Sequence, residues 1–315
     1  MHLQILELDG SLSAQSSLRD VAPWESVRHV PLTDLAPRLR LWSRDATIRQ
    51  ARARLAAAAI EGPSVTLIGS GDFHHLATLL HERIREPFTL IHLDNHPDWV
   101  RLAPRWHCGS WVNRALELPQ LARIFTLGPC SDDLVRPDRK GGNLPALASG
   151  KLVLMPWRHA PSKVWRALPD GLGHRYARGA LQWRNLADTG IEAALDAIIP
   201  AIPTPAIWFS IDKDVLDESD AVTNWDQGQM PLAAAVALIR SLGAHKRVLG
   251  ADICGEYSPP QHRNWFKRWE ARMDQPQRTV GNDPALLAVN EVTNRTLLGA
   301  IAAAVGDNPM PSPPC

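Results

Sequence analysis

Short apolar runs rich in β-branched and aromatic residues recur along the chain, and each one ends in a polar turn. They cover residues 65–68, 88–93, 124–127, 151–155, 206–211 and 247–253. Runs of this length with no polar alternation read as strands buried on both faces, the pattern of a parallel sheet. Helical stretches separate them. Residues 51–61 are Ala-rich and stop at Gly62-Pro63, and a helix starts near His74. Further helices are predicted over 107–118, 191–199, 232–242 and 284–305, the 232–242 helix opened by Pro231 and closed by Gly243. The first ten residues alternate like a strand. Strands alternating with helices, without repeat or linker, predict one α/β domain over 1–305 with a mostly parallel central sheet. Residues 306–315 are a Pro-rich tail expected to be disordered. The middle, about 130–187, is rich in Gly, Pro and Arg and gives no clear pattern beyond the strand at 151–155.

Composition narrows the function. The chain has 315 residues and a formal charge of +1, which argues against a polyanion partner such as nucleic acid. Arg-rich stretches at 38–40 and 263–268 read as solvated faces. No apolar stretch is long enough for a bilayer, and the N-terminus lacks the features of a signal peptide. The four cysteines, Cys108, Cys130, Cys254 and Cys315, form neither a CxxC pair nor a disulfide framework. A soluble, cytoplasmic protein is expected. Twelve Trp against two Tyr is unusual, and several Trp lie near the polar clusters, which suggests an apolar-walled pocket.

The polar clusters follow the predicted strands, where parallel sheets bind ligands. Residues 90–93 lead into Asp94-Asn95-His96-Pro97-Asp98. Strand periodicity puts Asp94, His96 and Asp98 on one face if the strand continues through them, and those side chains suit a divalent cation. The same residues also make an ordinary turn. Ser210-Ile211-Asp212-Lys213-Asp214 follows another apolar strand, and two carboxylates there are costly unless paired or bound to metal. Gly69-Ser70-Gly71-Asp72-Phe73-His74-His75 is a Gly-rich turn with a His pair at a helix start. His107 opens a further helix, and a lone His in that position is more often structural. Residues 252–259, Asp-Ile-Cys-Gly-Glu-Tyr-Ser-Pro, form a last acidic turn.

Taken in order, these clusters resemble the arginase/agmatinase family, the ureohydrolases. Asp94, His96 and Asp98 match its D-A-H-x-D motif. Ser210, Asp212, Asp214 and Asp217 match S-x-D-x-D-x-x-D. Residues 70–77 match G-G-D-H-S-L-A with one residue inserted, so that His74 or His75 takes the ligand position. His107 corresponds to the family's proton-carrying His, and Glu256 to the Glu that holds the guanidinium, each again with an inserted residue. The resemblance spans about 64–260 and implies a three-layer α-β-α, arginase-like fold. It departs at residues 99–106, an apolar and basic loop where arginases carry a polar one, at Glu218 in place of Pro, and at 224–228 in place of a Gly-rich loop. Arginine itself is therefore a doubtful substrate. Arg101 or Arg105 could meet an acidic group on a different substrate, although solvated arginines are the plainer reading.

What the resemblance implies is two Mn²⁺ ions, with other divalent metals possible. Asp94 and Asp212 would bridge them, His74 and Asp98 would complete one shell, and His96 and Asp214 the other. A bridging hydroxide would hydrolyse a linear C–N bond of a cationic guanidino or amidino compound. Asp98 would guide its proton, His107 would serve the departing amine, and Glu256 would pair with the substrate head. A homo-oligomer would be in keeping with the family. Two other readings stay open. One is a deacetylase-like amide hydrolase with a single metal, using His74-His75, Asp94, His96 and Asp212 or Asp214. The other is a non-catalytic relic of the fold.

Overall fold

The apolar runs form the middle of one eight-stranded sheet in a computed structural model that describes residues 1–13, 15–259, 262, 264–276 and 284–306, the side chains of 284–287 excepted. The strands are β1 His2–Glu7, β2 Val27–Pro31, β3 Ser64–Gly69, β4 Phe88–Leu93, β5 Leu121–Leu127, β6 Leu152–Met155, β7 Ala206–Asp212 and β8 Arg247–Cys254. Their order is β2-β1-β3-β8-β7-β4-β5-β6, and every pairing is parallel. The expectation of a Pro-rich tail falls, from residue 307 on, outside the described residues.

Alternate side chains along the strands feed two cores, as strand periodicity requires. On one face Val65, Ile91, Phe209 and Ile253 pack under helices Ile191–Ala201, Leu232–His245 and Pro284–Gly306. On the other, Ile68, Leu90, Trp208 and Cys254 pack under the helical segments between residues 36 and 148. This is a three-layer α-β-α architecture. In the middle stretch that carried no clear sequence pattern, Ser162–Lys163, His174–Ala177 and Ala180–Trp183 form a small antiparallel sheet.

Several boundaries differ from the sequence reading. The first long helix runs Asp45–Ala57 rather than 51–61. The helix expected at 107–118 is a 3₁₀ turn at Cys108–Ser110 followed by Trp111–Ala115, and His107 pairs with Trp42 in a two-residue strand before it. Helix Leu232–His245 does not stop at Gly243. A Cβ at Gly243 would lie 2.5 Å from the Ala304 Cβ, so this glycine permits close helix packing and does not act as a cap. β4 ends at Leu93, so strand pleating does not carry Asp94, His96 and Asp98 onto one face.

Candidate metal centre

The clusters after β3, β8, β7 and β4 converge because those four strands are adjacent in the sheet. The chain must turn tightly at each strand end. A Cβ on Gly71 would come within 2.5 Å of Asp212 Oδ2, so only glycine lets the β3 turn pass beside that carboxylate. Asp98 takes φ +48°, a left-handed conformation uncommon outside glycine and tolerated by Asp, and this turn brings its carboxylate back toward Asp94.

The result is a buried group of acids around two imidazoles. His74 Nδ1 lies 3.2 Å from Asp94 Oδ2, 3.4 Å from Asp98 Oδ2 and 3.6 Å from Asp212 Oδ2. His96 Nδ1 lies 3.0 Å from Asp214 Oδ2 and 3.6 Å from Asp94 Oδ1. Asp94 therefore stands between the two imidazoles. Ligand atoms of His74, His92, Asp94 and Asp98 fall close enough together to hold one cation, and those of Asp94, His96 and Asp214 a second. Cys254 Sγ joins His74 and Asp212 in a third such grouping and donates to Asp212 Oδ2 at 3.1 Å. His75, the alternative to His74, belongs to no such group among the described residues.

Hydrogen bonding settles which nitrogen of His74 is free. The single hydroxyl proton of Ser210 goes to Asp252 Oδ1 at 2.6 Å, because a carboxylate only accepts. Ser210 Oγ, 3.0 Å from His74 Nε2, must then accept from it. His74 thus carries a proton on Nε2 and turns Nδ1, which has no hydrogen-bond partner, onto three carboxylates. His96 stands between acids at both nitrogens, with Nε2 2.8 Å from Asp226 Oδ1 and Nδ1 3.0 Å from Asp214 Oδ2 and 3.6 Å from Asp94 Oδ1. A lone pair among buried carboxylates is repulsive unless a cation, either a proton or a metal ion, lies between them. The donor set therefore fits a metal.

The charges respond to this crowding. Burial opposes a charge on His74, but Asp94, Asp98 and Asp212 outweigh it and hold the ring well above the ordinary imidazole range. Burial likewise opposes a charge on His96, and Asp214, Asp226 and Asp94 hold it well above that range. Burial and then Asp94 push Asp98 up to about 7. Burial, Asp212 and Asp94 push Asp214 well above the carboxylate range.

A row of buried polar residues underlies the site. Thr66, Asp252, Ser210, His92 and Thr126 stand side by side in register across five strands. His92 spans Thr126 Oγ1 at 3.1 Å and Asp94 Oδ2 at 2.8 Å. Asp252 Oδ2 is held by Trp208 Nε1 at 2.7 Å and His81 Nε2 at 3.2 Å. Trp111 closes the wall, its ring 4.7 Å from that of His74 and its N–H 2.6 Å from Asp98 Oδ2. Buried acceptors so completely bonded hold the ligands in fixed orientations. Sequence reasoning gave no role to His92, Asp226 or Glu270. His92 was detectable as a polar side chain inside an apolar strand, two residues before Asp94.

Three expected residues sit differently. His107 is held at both nitrogens: Nδ1 accepts from Gly109 N–H at 2.9 Å, and Nε2 donates to Glu270 Oε1 at 2.6 Å. Trp42 Nε1 binds the other oxygen of Glu270 at 2.9 Å. Glu256 is 3% exposed and forms an ion pair with the fully buried Lys213. It also accepts from Asn294 at 2.7 Å and Gln15 at 3.0 Å, so the chain itself supplies the cation for this carboxylate. Asp217 lies at the surface, where Ser219 N–H and Oγ–H hold its pKa down.

No protein-family profile matches the sequence. An uncharacterised protein of Thermotoga maritima is 24% identical over 264 residues, 82% of this chain and 81% of that protein. Among solved structures, arginase of Entamoeba histolytica in complex with L-ornithine superposes with a TM-score of 0.59 at 13% identity, over 97% of this chain and 98% of that one. Proclavaminate amidino hydrolase of Streptomyces clavuligerus gives 0.57 at 15% identity, over 96% and 92%. Formimidoylglutamase of Bacillus subtilis gives 0.57 at 13%, over 96% and 87%. The chain carries the arginase/agmatinase fold. At identities of 12–15% over nearly its whole length, it is a divergent bearer of that fold. Among the described residues no helix is long and apolar enough to cross a membrane.

Proposed function

We propose that this chain is a metal-dependent hydrolase cleaving a linear C–N bond of a guanidino or amidino compound. His74, Asp94, Asp98 and Asp212 would hold one divalent cation, and His96, Asp94, Asp212 and Asp214 a second. Oxygen-rich ligation with two imidazoles suits Mn²⁺ better than Zn²⁺. The observation that carries this reading is the pair of imidazoles, each with Nε2 against a protein side chain and Nδ1 turned onto buried carboxylates. Structures of the same fold named as arginases and amidino hydrolases support the reaction class.

Bound divalent cations supply Lewis acidity and bring the pKa of water toward neutral. The protein's part is to orient and to move protons. Ser210 and Asp226 keep the two imidazoles in the ligating tautomer, and Trp111 excludes water behind Asp98. His107 and Glu270 would together serve the departing amine: Gly109 N–H occupies Nδ1 and Nε2–H goes to Glu270 Oε1 at 2.6 Å, so the partly exposed Glu270 carboxylate is the group of the pair open to a proton. Since Glu256 already holds Lys213, we assign the cationic end of the substrate to Asp226 and Glu270. Their side chains stay 50% and 21% exposed beside His96 and His107. A single-metal amide hydrolase is less well supported, because His75 lies outside every ligand group found among the described residues.

Metal analysis of the purified protein, with a panel of guanidino and amidino compounds assayed for urea or amine release, tests the proposal. Two divalent ions per chain and activity abolished by Asp94→Asn are expected. One zinc ion with acyl-amide hydrolysis, or no bound metal, would overturn it.

A further inference from the structure

Outside the metal centre, a cleft of about 490 Å³ opens behind the loop between Asp98 and His107. Its volume falls within the usual range for small-molecule sites, about 300–1,000 Å³. Arg101, Arg105 and Arg114 line it together with Glu117, Asn113 and Asn143. Its one carboxylate, Glu117, reaches two of the three guanidinium groups. Arg114 pairs with Glu117, while Arg105 reaches the same carboxylate only at 3.6 Å. The guanidinium of Arg101 has no hydrogen-bond or ion-pair partner among the described residues. Like charges gathered on a concave wall repel one another unless an anion joins them.

The wall is also anchored. Arg101 N–H donates to Gly141 O at 2.8 Å, and Ser110 Oγ–H to Pro104 O at 3.0 Å. Asn113 Nδ2 donates to Val100 O at 3.3 Å, and Asn113 Oδ1 accepts from Asn143 Nδ2 at 2.7 Å. These bonds fix the backbone at both ends of the arginine-bearing loop, so the ordering left to be done on binding is that of the exposed arginine side chains. The fork of a guanidinium matches carboxylate and phosphate oxygens.

We propose that this cleft is a second binding site, for a small molecule bearing a carboxylate or phosphate group, gripped by Arg101 and Arg105 with Arg114 at the side. Its ligand lies against the segment that joins Asp98 to His107.

Calorimetric titration of the full-length, metal-loaded protein at fixed ionic strength is the test, with inorganic phosphate in one arm and succinate in the other. Saturable 1:1 binding is expected in at least one arm, and the arm that saturates assigns the chemistry. The Arg101→Ala, Arg105→Ala double variant should bind at least tenfold more weakly. Glu117→Gln, which frees the two arginines it holds, should bind more tightly, a gain that misfolding cannot produce. No saturation in either arm would overturn the proposal. So would undiminished binding by the double variant, or binding that disappears in Asp94→Asn and so belongs to the metal centre.

Discussion

Ser210 has one proton to give, and giving it to Asp252 makes it an acceptor for His74. This small asymmetry sets the tautomer of an imidazole that faces three carboxylates. Ser210→Ala removes the acceptor and leaves the ring free to turn or to protonate at Nδ1. The expected effect is a loss of about 10–100-fold in Mn²⁺ affinity, measured by chelator competition, with the fold retained. Unchanged affinity would show that the ring is held by its other neighbours. Lys213 and Glu256 make a different point. Both are buried, and each is the other's counter-charge. Glu256→Ala leaves an unpaired buried ammonium and should cost about 3–5 kcal/mol in chemical denaturation. Lys213→Met combined with Glu256→Leu should cost clearly less. If the single and double variants were equally destabilised, the pairing would not be the source of the loss.

At the scale of elements, the strands were legible because a strand buried on both faces leaves a local trace, a short apolar run. The predicted 88–93 strand matches β4 to the residue, and β7 and β8 differ from their predictions by one residue at the C-terminal end. Helices were less legible where glycine has two uses. Gly243 looked like a stop, yet it lies inside Leu232–His245, where Ala304 of the last helix packs against its missing side chain. Gly243→Leu should therefore destabilise by about 1–3 kcal/mol through overpacking. Ala304→Gly should restore part of that loss in a double-mutant cycle read by thermal denaturation. A neutral Gly243→Leu would mean that the two helices are not in close contact. The row Thr66–Asp252–Ser210–His92–Thr126 was not visible in the sequence, because its members come together only through strand register.

For the whole molecule, the clustered charges link stability to pH and to metal. In the metal-free chain Asp98 is raised from the ordinary carboxylate value to about 7, and His74 and His96 are raised well above the imidazole range. Each then binds more protons folded than unfolded, so stability falls as pH rises through the window between those values. Asp94 is shifted the other way, but its window lies below 3.8; buried His75, held well below the imidazole range by desolvation, opposes the trend as pH rises toward 6.5, one group against the three that are raised. With chelator present, the melting temperature should be higher at pH 5.5 than at pH 7.5. Mn²⁺ should reverse that order, adding about 2.7 kcal/mol per ion at a hundredfold excess over its Kd. A melting temperature indifferent to both would remove the case for a metal centre. The sequence by itself determined the strand–helix alternation, the acids at the strand ends and the residues able to ligate. Those are properties of neighbours along the chain, written in periodicity and composition. Only the tertiary structure decided that His74 rather than His75 faces the acids, and that Glu256 is matched by Lys213. It alone decided that Glu270, from helix Trp265–Asp274, meets His107. The hydrogen bond that orients His74 joins residues 136 positions apart, and that to His107 residues 163 apart, so strand order brings the first pair together and the docking of helix Trp265–Asp274 the second.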